Sequence, residues 1–476
     1  MNGASVTVGI VRAVLIVGLT IGSTSETTAG ESRATTPQTG HCGSPYKKKP
    51  IPAKTLRALV ASHGRWLEQR NHPDYQRADL CQAILRQAAL VGANLERAHL
   101  EGAILRQANL RQSSLGQASL AGADLTRAVL QSSNLSGADL RHARLAGANL
   151  AGSIGDEAAL YNAVLVGAQL NESTFERAHF EGADLSSADL TNANFVDSYF
   201  YGARLQRAVV AGTDLTGADL RRTVLTKADF HQANLQGALL DSAQLDQARL
   251  VEADLESAYL DEANLREANL VDAILRGADM RFADLRGAGL HQADLEGANL
   301  EGANLVKTNL RSAKLRMAIL YHADLDKADF RDAYLNRAVL IGARGSHTIF
   351  TKGDLNEIYA PKASFRRAQF NEANLESANL VAADLSGSNF NHARLTHANL
   401  QEANLQDATL AGADLAGARL DSADIRRANL RGATLISVTG LTQAQLDTAC
   451  VDEQTQLPPE FHRPAPCSVV EKEARP

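Results

Sequence analysis

The chain is expected to fold as an all-β solenoid whose every turn runs through four short sides. Three observations carry this. From Gln76 to Leu435 the sequence divides, without a slipped frame, into 72 pentapeptides. Leu fills the last slot in 56 of them and Ala sits two residues earlier in 60, with Asp or Asn most often between. In an extended segment side chains alternate between faces, so Ala and Leu share one side and the residue between them takes the other. No helix or flat strand has a period of five, so the repeat decides the fold. The third observation is the Phe spacing. Ten Leu slots hold Phe, and Phe330, Phe350, Phe370 and Phe390 follow one another at intervals of 20, as do Phe175 and Phe195, and Phe180 and Phe200. Large residues at this lag stack inside one side if four pentapeptides close one coil.

Each pentapeptide thus reads as one extended side and one corner. Gly is frequent in the second corner slot, as at Gly92, Gly102 and Gly122, where its freedom in φ helps the chain turn. A buried Leu contributes on the order of 1.5–3 kcal/mol, and Ala lets opposite walls approach. A charge in an inward slot would be very costly, and none stands in a Leu slot. Ser and Thr replace Ala at Ser113, Ser133, Ser153, Thr213 and Thr223, which a hydroxyl bonded to the backbone can accommodate.

On these motifs, which cover 360 of 476 residues, the chain resembles the pentapeptide-repeat family, with consensus A(D/N)LXX. The resemblance implies a right-handed quadrilateral β-helix, solid inside with Leu and Ala. Eighteen coils at a strand spacing of about 4.8 Å give a rod about 85 Å long. The family brings no catalytic motif to carry over.

The flanks set the domain organisation. Residues 1–30 read as a secretory signal peptide: Arg12, then an apolar run from Ala13 to Gly22, then small polar residues to Ala29 and Gly30. The run is too short for a membrane span of about 20 residues. Residues 31–75 form an N-terminal segment in which 53–70 has helical character. There Leu56, Leu59, Val60, His63 and Leu67 share one face beside Trp66, as expected of a helix covering the open first coil. The pentapeptides occupy 76–435. In 436–476, Thr442 and Gln445 have the spacing of a capping box, starting a short helix that ends near Cys450, and a Pro-rich tail follows. The four cysteines flank the repeat: Cys42 and Cys81 at its start, Cys450 and Cys467 after it. In an exported chain they are expected to pair as Cys42 with Cys81 and Cys450 with Cys467. No CxxC spacing favours zinc.

The repeat weakens twice. Gly155 replaces Leu. In residues 344–362, Gly345 and Ala360 stand in Leu slots, and Gly353 and Ile358 in Ala slots. About one coil is expected to be irregular there, either as a drift or kink or as a binding feature exposing His347 and Tyr359.

Composition limits the function. The net charge of −6 is not the footprint of a nucleic-acid binder. Glycine-rich phosphate loops, HExxH, GxSxG and CxxC are all absent, so neither an enzyme nor a cofactor or metal site is expected. Two surface features stand out. Asp241 to Asp272 holds nine acidic and two basic residues. Tyr199 and Tyr201 lie within one or two coils of Tyr161 and His179. Either could dock a partner. The reading is an exported, non-enzymatic scaffold or protein-interaction rod, periplasmic or secreted, with no stable membrane span and a protein partner that the sequence does not name. The alternative, carried by the family resemblance, is a cytoplasmic DNA-mimicking protein that binds type II topoisomerases. That needs acidic faces along much of the rod, whereas the acidic excess here spans about one and a half coils, or about 8 Å.

Overall fold

A computed structural model describes residues 42–464, apart from 71 and 73. The segment 1–30 and Cys467 lie outside these residues. Residues 43–464 fall in one unit, built through the repeat of coils of 20 residues. Each coil pairs with the next through four single parallel bridges. One series runs Asp79–His99, His99–Ser119 and on to Arg419–Thr439, eighteen steps of 20, or about 85 Å at about 4.8 Å per step. We call the sides I (79, 99, 119…), II (84, 104…), III (89, 109…) and IV (94, 114…). The extended sides are shorter than expected. Only the slot between Ala and Leu bridges, so the walls are ladders of isolated bridges with no multi-residue strand.

The hydrogen bonds explain the repeat slot by slot. The Leu80 N–H donates to the His99 carbonyl of the next coil (2.8 Å), and the His99 N–H donates back to the Ala78 carbonyl (2.9 Å). At the corner the Ala83 N–H donates to the Leu80 carbonyl (3.0 Å). The second corner residue is left-handed, with φ of +52° at Gln82 and +61° at Gly102. A 1→4 bond with positive φ only at the third residue is a type II turn, which favours Gly there. The second corner N–H reaches the next coil, as Gln82 does to the Glu101 carbonyl (2.7 Å). The first corner N–H remains, and the Asp or Asn two residues before it takes it. Asn109 Oδ1 accepts from the Arg111 N–H (3.2 Å), Asn134 from Ser136 (2.9 Å) and Asp184 from Ser186 (3.0 Å). The outward Asp/Asn slot is therefore a backbone acceptor as well as a solvent-facing group.

The interior is Ala, Leu and Phe, almost all fully buried. The Phe columns form as expected. Ring centroids are 5.1, 4.9 and 4.7 Å apart from Phe330 through Phe350 and Phe370 to Phe390, and 4.8 Å between Phe180 and Phe200. Residues 344–362 correct an expectation. Their backbone is a regular coil, bridging through Arg344–Ser364, Ile349–Gln369, Asp354–Asn374 and Tyr359–Asn379. The irregularity is one of side-chain volume, and it is compensated. Ile358 in an Ala slot adjoins Ala360 in a Leu slot, and both are buried. The Phe365 ring occupies space that a side chain at Gly345 would need, and the Phe175 ring does the same at Gly155.

The hydroxyl substitutions divide. Ser113, Thr213 and Thr223 donate to the carbonyls of Leu110, Leu190 and Leu220. Ser133 and Ser153 are buried without a partner for Oγ, contrary to expectation. Their lone hydroxyls carry a desolvation cost that alanine would not. Ser133→Ala or Ser153→Ala should therefore stabilise the rod by about 1 kcal/mol, and Thr213→Ala should destabilise it by about as much. Denaturant midpoints of the three variants check the opposite signs.

Both ends carry helices. α1 (Ala53–Glu68) starts after Pro52 without a side-chain cap and buries Leu56 and His63. Ile51, Leu59 and Val60 pack on the core. His63 is clamped between the first coils: its Nδ1 accepts from the Ala78 N–H (3.0 Å) and its Nε2 donates to the Glu96 carbonyl (2.8 Å). Trp66 stacks on His63 with centroids 5.4 Å apart. α2 (Gln443–Leu446) has the capping box expected of Thr442 and Gln445. Gln445 Nε2 also donates to the Leu420 and Ala423 carbonyls, tying α2 to the last coils.

Candidate interaction surface

A core filled by Ala, Leu and Phe leaves the outer surface to carry function. The sides differ. Seven tyrosines lie in the repeat, and six of them fall on side I or on the corner that follows it; only Tyr334 lies elsewhere, on side IV. Tyr161, His179 and Tyr199 form a stack along the rod, with centroids 5.0 and 4.7 Å apart and nearly parallel planes. His179 Nδ1 lies 3.1 Å from Glu181 Oε1. Burial, then the Glu181 charge, raise the Tyr161 hydroxyl pKa above its ordinary value. Tyr201, on the corner, lies under the guanidinium groups of Arg221 and Arg222.

Tyr359 lies on side I eight coils beyond Tyr199 and is 46% exposed. His347, paired with it at the sequence level, does not join it: by register it stands in the corner between sides II and III. Several members of the side I array were not anticipated. Leu239, Tyr259, Ile319 and Val339 all stand in its outward slot, and Tyr259 is 48% exposed. Phe282, in the following corner, is 57% exposed and holds φ of +55°, an unusual conformation for a bulky residue. Its ring lies over Gly302, which leaves room for it. Indexing the aromatic residues by 20 would have found this array.

Some of the charges around it form internal pairs. Asp219 with Arg221 and Asp279 with Arg281 meet at 2.7 and 2.8 Å. The Asp241–Asp272 block does not run along one side. Its nine carboxylates occupy all four corners and side IV by register, so the block winds round the rod. Within it, burial and then the neighbouring Asp261 push the Asp241 carboxyl pKa up, against the lowering effect of its backbone hydrogen bond.

At the ends, Cys42, Cys81 and Cys450 are disulfide-bonded. Cys81, His99 and Glu101 place potential ligand atoms within 4.8 Å of one another, but the bonded Cys81 sulfur has no thiolate to offer a metal. No helix among the described residues is long and apolar enough to cross a membrane.

A solenoid of square coils, each corner a type II turn and each wall a ladder of single bridges, defines a repeat protein of one kind. The family model described as pentapeptide repeats (8 copies) matches residues 76–358 and 363–435. The chain belongs to the pentapeptide-repeat family. Solved structures similar to it include HetL, involved in heterocyst differentiation regulation in the cyanobacterium Nostoc sp. strain PCC 7120. It is 33% identical over 50% of this chain and 91% of its own, with a TM-score of 0.19. QnrB1, a plasmid-mediated fluoroquinolone resistance protein, is 21% identical over 38% and 86%, with a TM-score of 0.19. Rfr23 from the cyanobacterium Cyanothece 51142 is 22% identical over 34% and 90%, with a TM-score of 0.12. No curated protein matches the sequence.

Proposed function

We propose that the protein is an exported, non-enzymatic rod that acts as a scaffold or protein-interaction surface, with side I as its contact face. This takes the coil as right-handed, in keeping with the family, and the end helices as caps. The observation that carries it is the segregation of exposed aromatic residues on a rod whose interior is filled: Tyr199, Tyr201, Tyr259, Phe282 and Tyr359 lie on side I or the corner after it, against Tyr334 alone elsewhere in the repeat. Such a surface suits a protein partner. The disulfide-bonded cysteines favour an oxidising compartment, and we assign the pairs as Cys42 with Cys81 and Cys450 with Cys467. The topoisomerase-binding reading draws less support, because the acidic block winds round the rod.

Cell fractionation combined with thiol alkylation under denaturing conditions tests this. The protein should appear in the periplasm or medium with no alkylated cysteine before reduction and four after it. Cytoplasmic protein with reactive thiols would overturn the export reading.

A further inference from the structure

The side I array has a symmetry that neither the repeat nor the family requires. Its outward slots are centred on Tyr259, with His179 and Val339 four coils away in opposite directions and Tyr199 and Ile319 three coils away. We propose that side I pairs with side I of a second copy of this chain, the two rods antiparallel about a twofold axis through Tyr259.

The register of that pairing follows from the 20-residue step alone. A twofold in the contact plane, perpendicular to the rods, sets each outward residue opposite the one equally far beyond Tyr259. Tyr199 then meets Ile319, and His179 meets Val339. Tyr359 meets Ala159, a bulky residue against a small one. The same axis sets the corner after side I against its own copy. Tyr201 meets Tyr321 and Tyr161 meets Pro361.

The charges on that corner complement each other. Arg221 falls opposite Glu301 and Asp241 opposite Arg281, and symmetry makes each pair twice. In the second corner slot, His322 faces Gly202, Phe282 faces Ser242 and Arg222 faces Gly302. Projecting side chains thus meet small ones in every one of these pairs. An isologous interface requires self-complementarity of this kind.

The size also fits. From Tyr161 to Pro361 is ten coils, a strip about 48 Å long and about 15 Å wide, on the order of 700 Å² per copy, close to the ~800 Å² per partner of a stable standard interface. Four contacts oppose the pairing: Asp261 and Glu262 meet their own copies near the axis, and by the same register Asp279 falls opposite Leu239 and Glu181 opposite Ile341. Asp261 Oδ1 is already buried without a hydrogen bond in the single chain. A neutral amide there would remove repulsion and could bond across the axis.

Sedimentation of the full chain over a concentration series tests the pairing, independently of the compartment. The wild type should dimerise. Arg281→Asp should raise the dimer Kd at least tenfold, and the double variant Asp241→Arg with Arg281→Asp should restore it. Asp261→Asn should tighten it. Tyr259→Cys should cross-link to its own copy on mild oxidation, and Tyr334→Cys, on side IV, should not. Circular dichroism that matches the wild type confirms that each variant is folded. A folded wild type that stays monomeric throughout the series overturns the proposal. So does a charge exchange that leaves the Arg281→Asp defect unrescued, or equal cross-linking at 259 and 334.

Discussion

Restoring the repeat consensus at position 155 should destabilise the protein. Gly155→Leu supplies the residue that 56 of the 72 repeats carry in that slot, and a reading along the chain would rank it as a repair. Across the coils the space is taken. A Cβ built on Gly155 would lie 2.0 Å from Cε1 of Phe175, and the ring is fully buried with no room to withdraw. Overpacking a filled core costs about 1–3 kcal/mol, and a collision with a rigid ring 20 residues on belongs at the upper end. Gly155→Leu should therefore lower the denaturant midpoint. Phe175→Leu alone should also destabilise, by leaving a void beside Gly155. The double variant should recover most of both losses, because it exchanges Gly with Phe for Leu with Leu and nearly conserves volume. Additive losses in the double variant would show that the two positions do not share one space.

The same logic explains what could be read from the sequence. The pentapeptide period and the Phe lag were sufficient for the coil, because inward slots and corners obey local rules that four sides then repeat. The lapses at Gly155 and Gly345 read as defects along the chain, although the residues that fill their space, Phe175 and Phe365, stand 20 positions later. These lapses look like defects only when neighbours in sequence are taken for neighbours in space. The role of Asp and Asn as acceptors for the first corner N–H needed the full hydrogen-bond ladder, because it is whatever that ladder leaves unpaired. The orphaned hydroxyls of Ser133 and Ser153 were not legible. Ser113 occupies the same column and bonds, so only side-chain rotation distinguishes them. On the surface, a cluster around Tyr199 was visible in the chain. Its continuation to Tyr259, Ile319 and Tyr359, three to eight coils away along one side, emerges only when outward residues are indexed by 20 rather than by nearness in the chain.

At the N-terminal end the largest effect should come from His63. The sequence places it on the apolar face of α1, but its partners lie 15 and 33 residues away. It is fully buried and satisfies two backbone groups that nothing else reaches: the Ala78 N–H through Nδ1 and the Glu96 carbonyl through Nε2. This arrangement needs the neutral ring protonated on Nε2, because the cation has no acceptor for Ala78. Burial, aided by the Arg77 charge, accordingly lowers the His63 pKa below 6.5, although the Glu96 carbonyl opposes the shift. The unfolded or undocked end binds the proton more readily than the docked one. Docking is thus fully stabilised above about pH 6.5 and weakens as the pH falls below that value, by at most about 1.4 kcal/mol per pH unit, until the lowered pKa is passed. His63→Phe keeps the volume but orphans both backbone groups, at a cost of about 2–5 kcal/mol to docking, and it removes the pH dependence. Amide exchange in α1 and the first two coils reads this directly. Protection in the wild type should fall between pH 7.5 and 5.5 after correction for intrinsic exchange, and should be lower and flat in the variant, while the coils beyond residue 200 change in neither. Equal protection of α1 in the wild type across that range would exclude His63 as the clamp that holds the end of the rod closed.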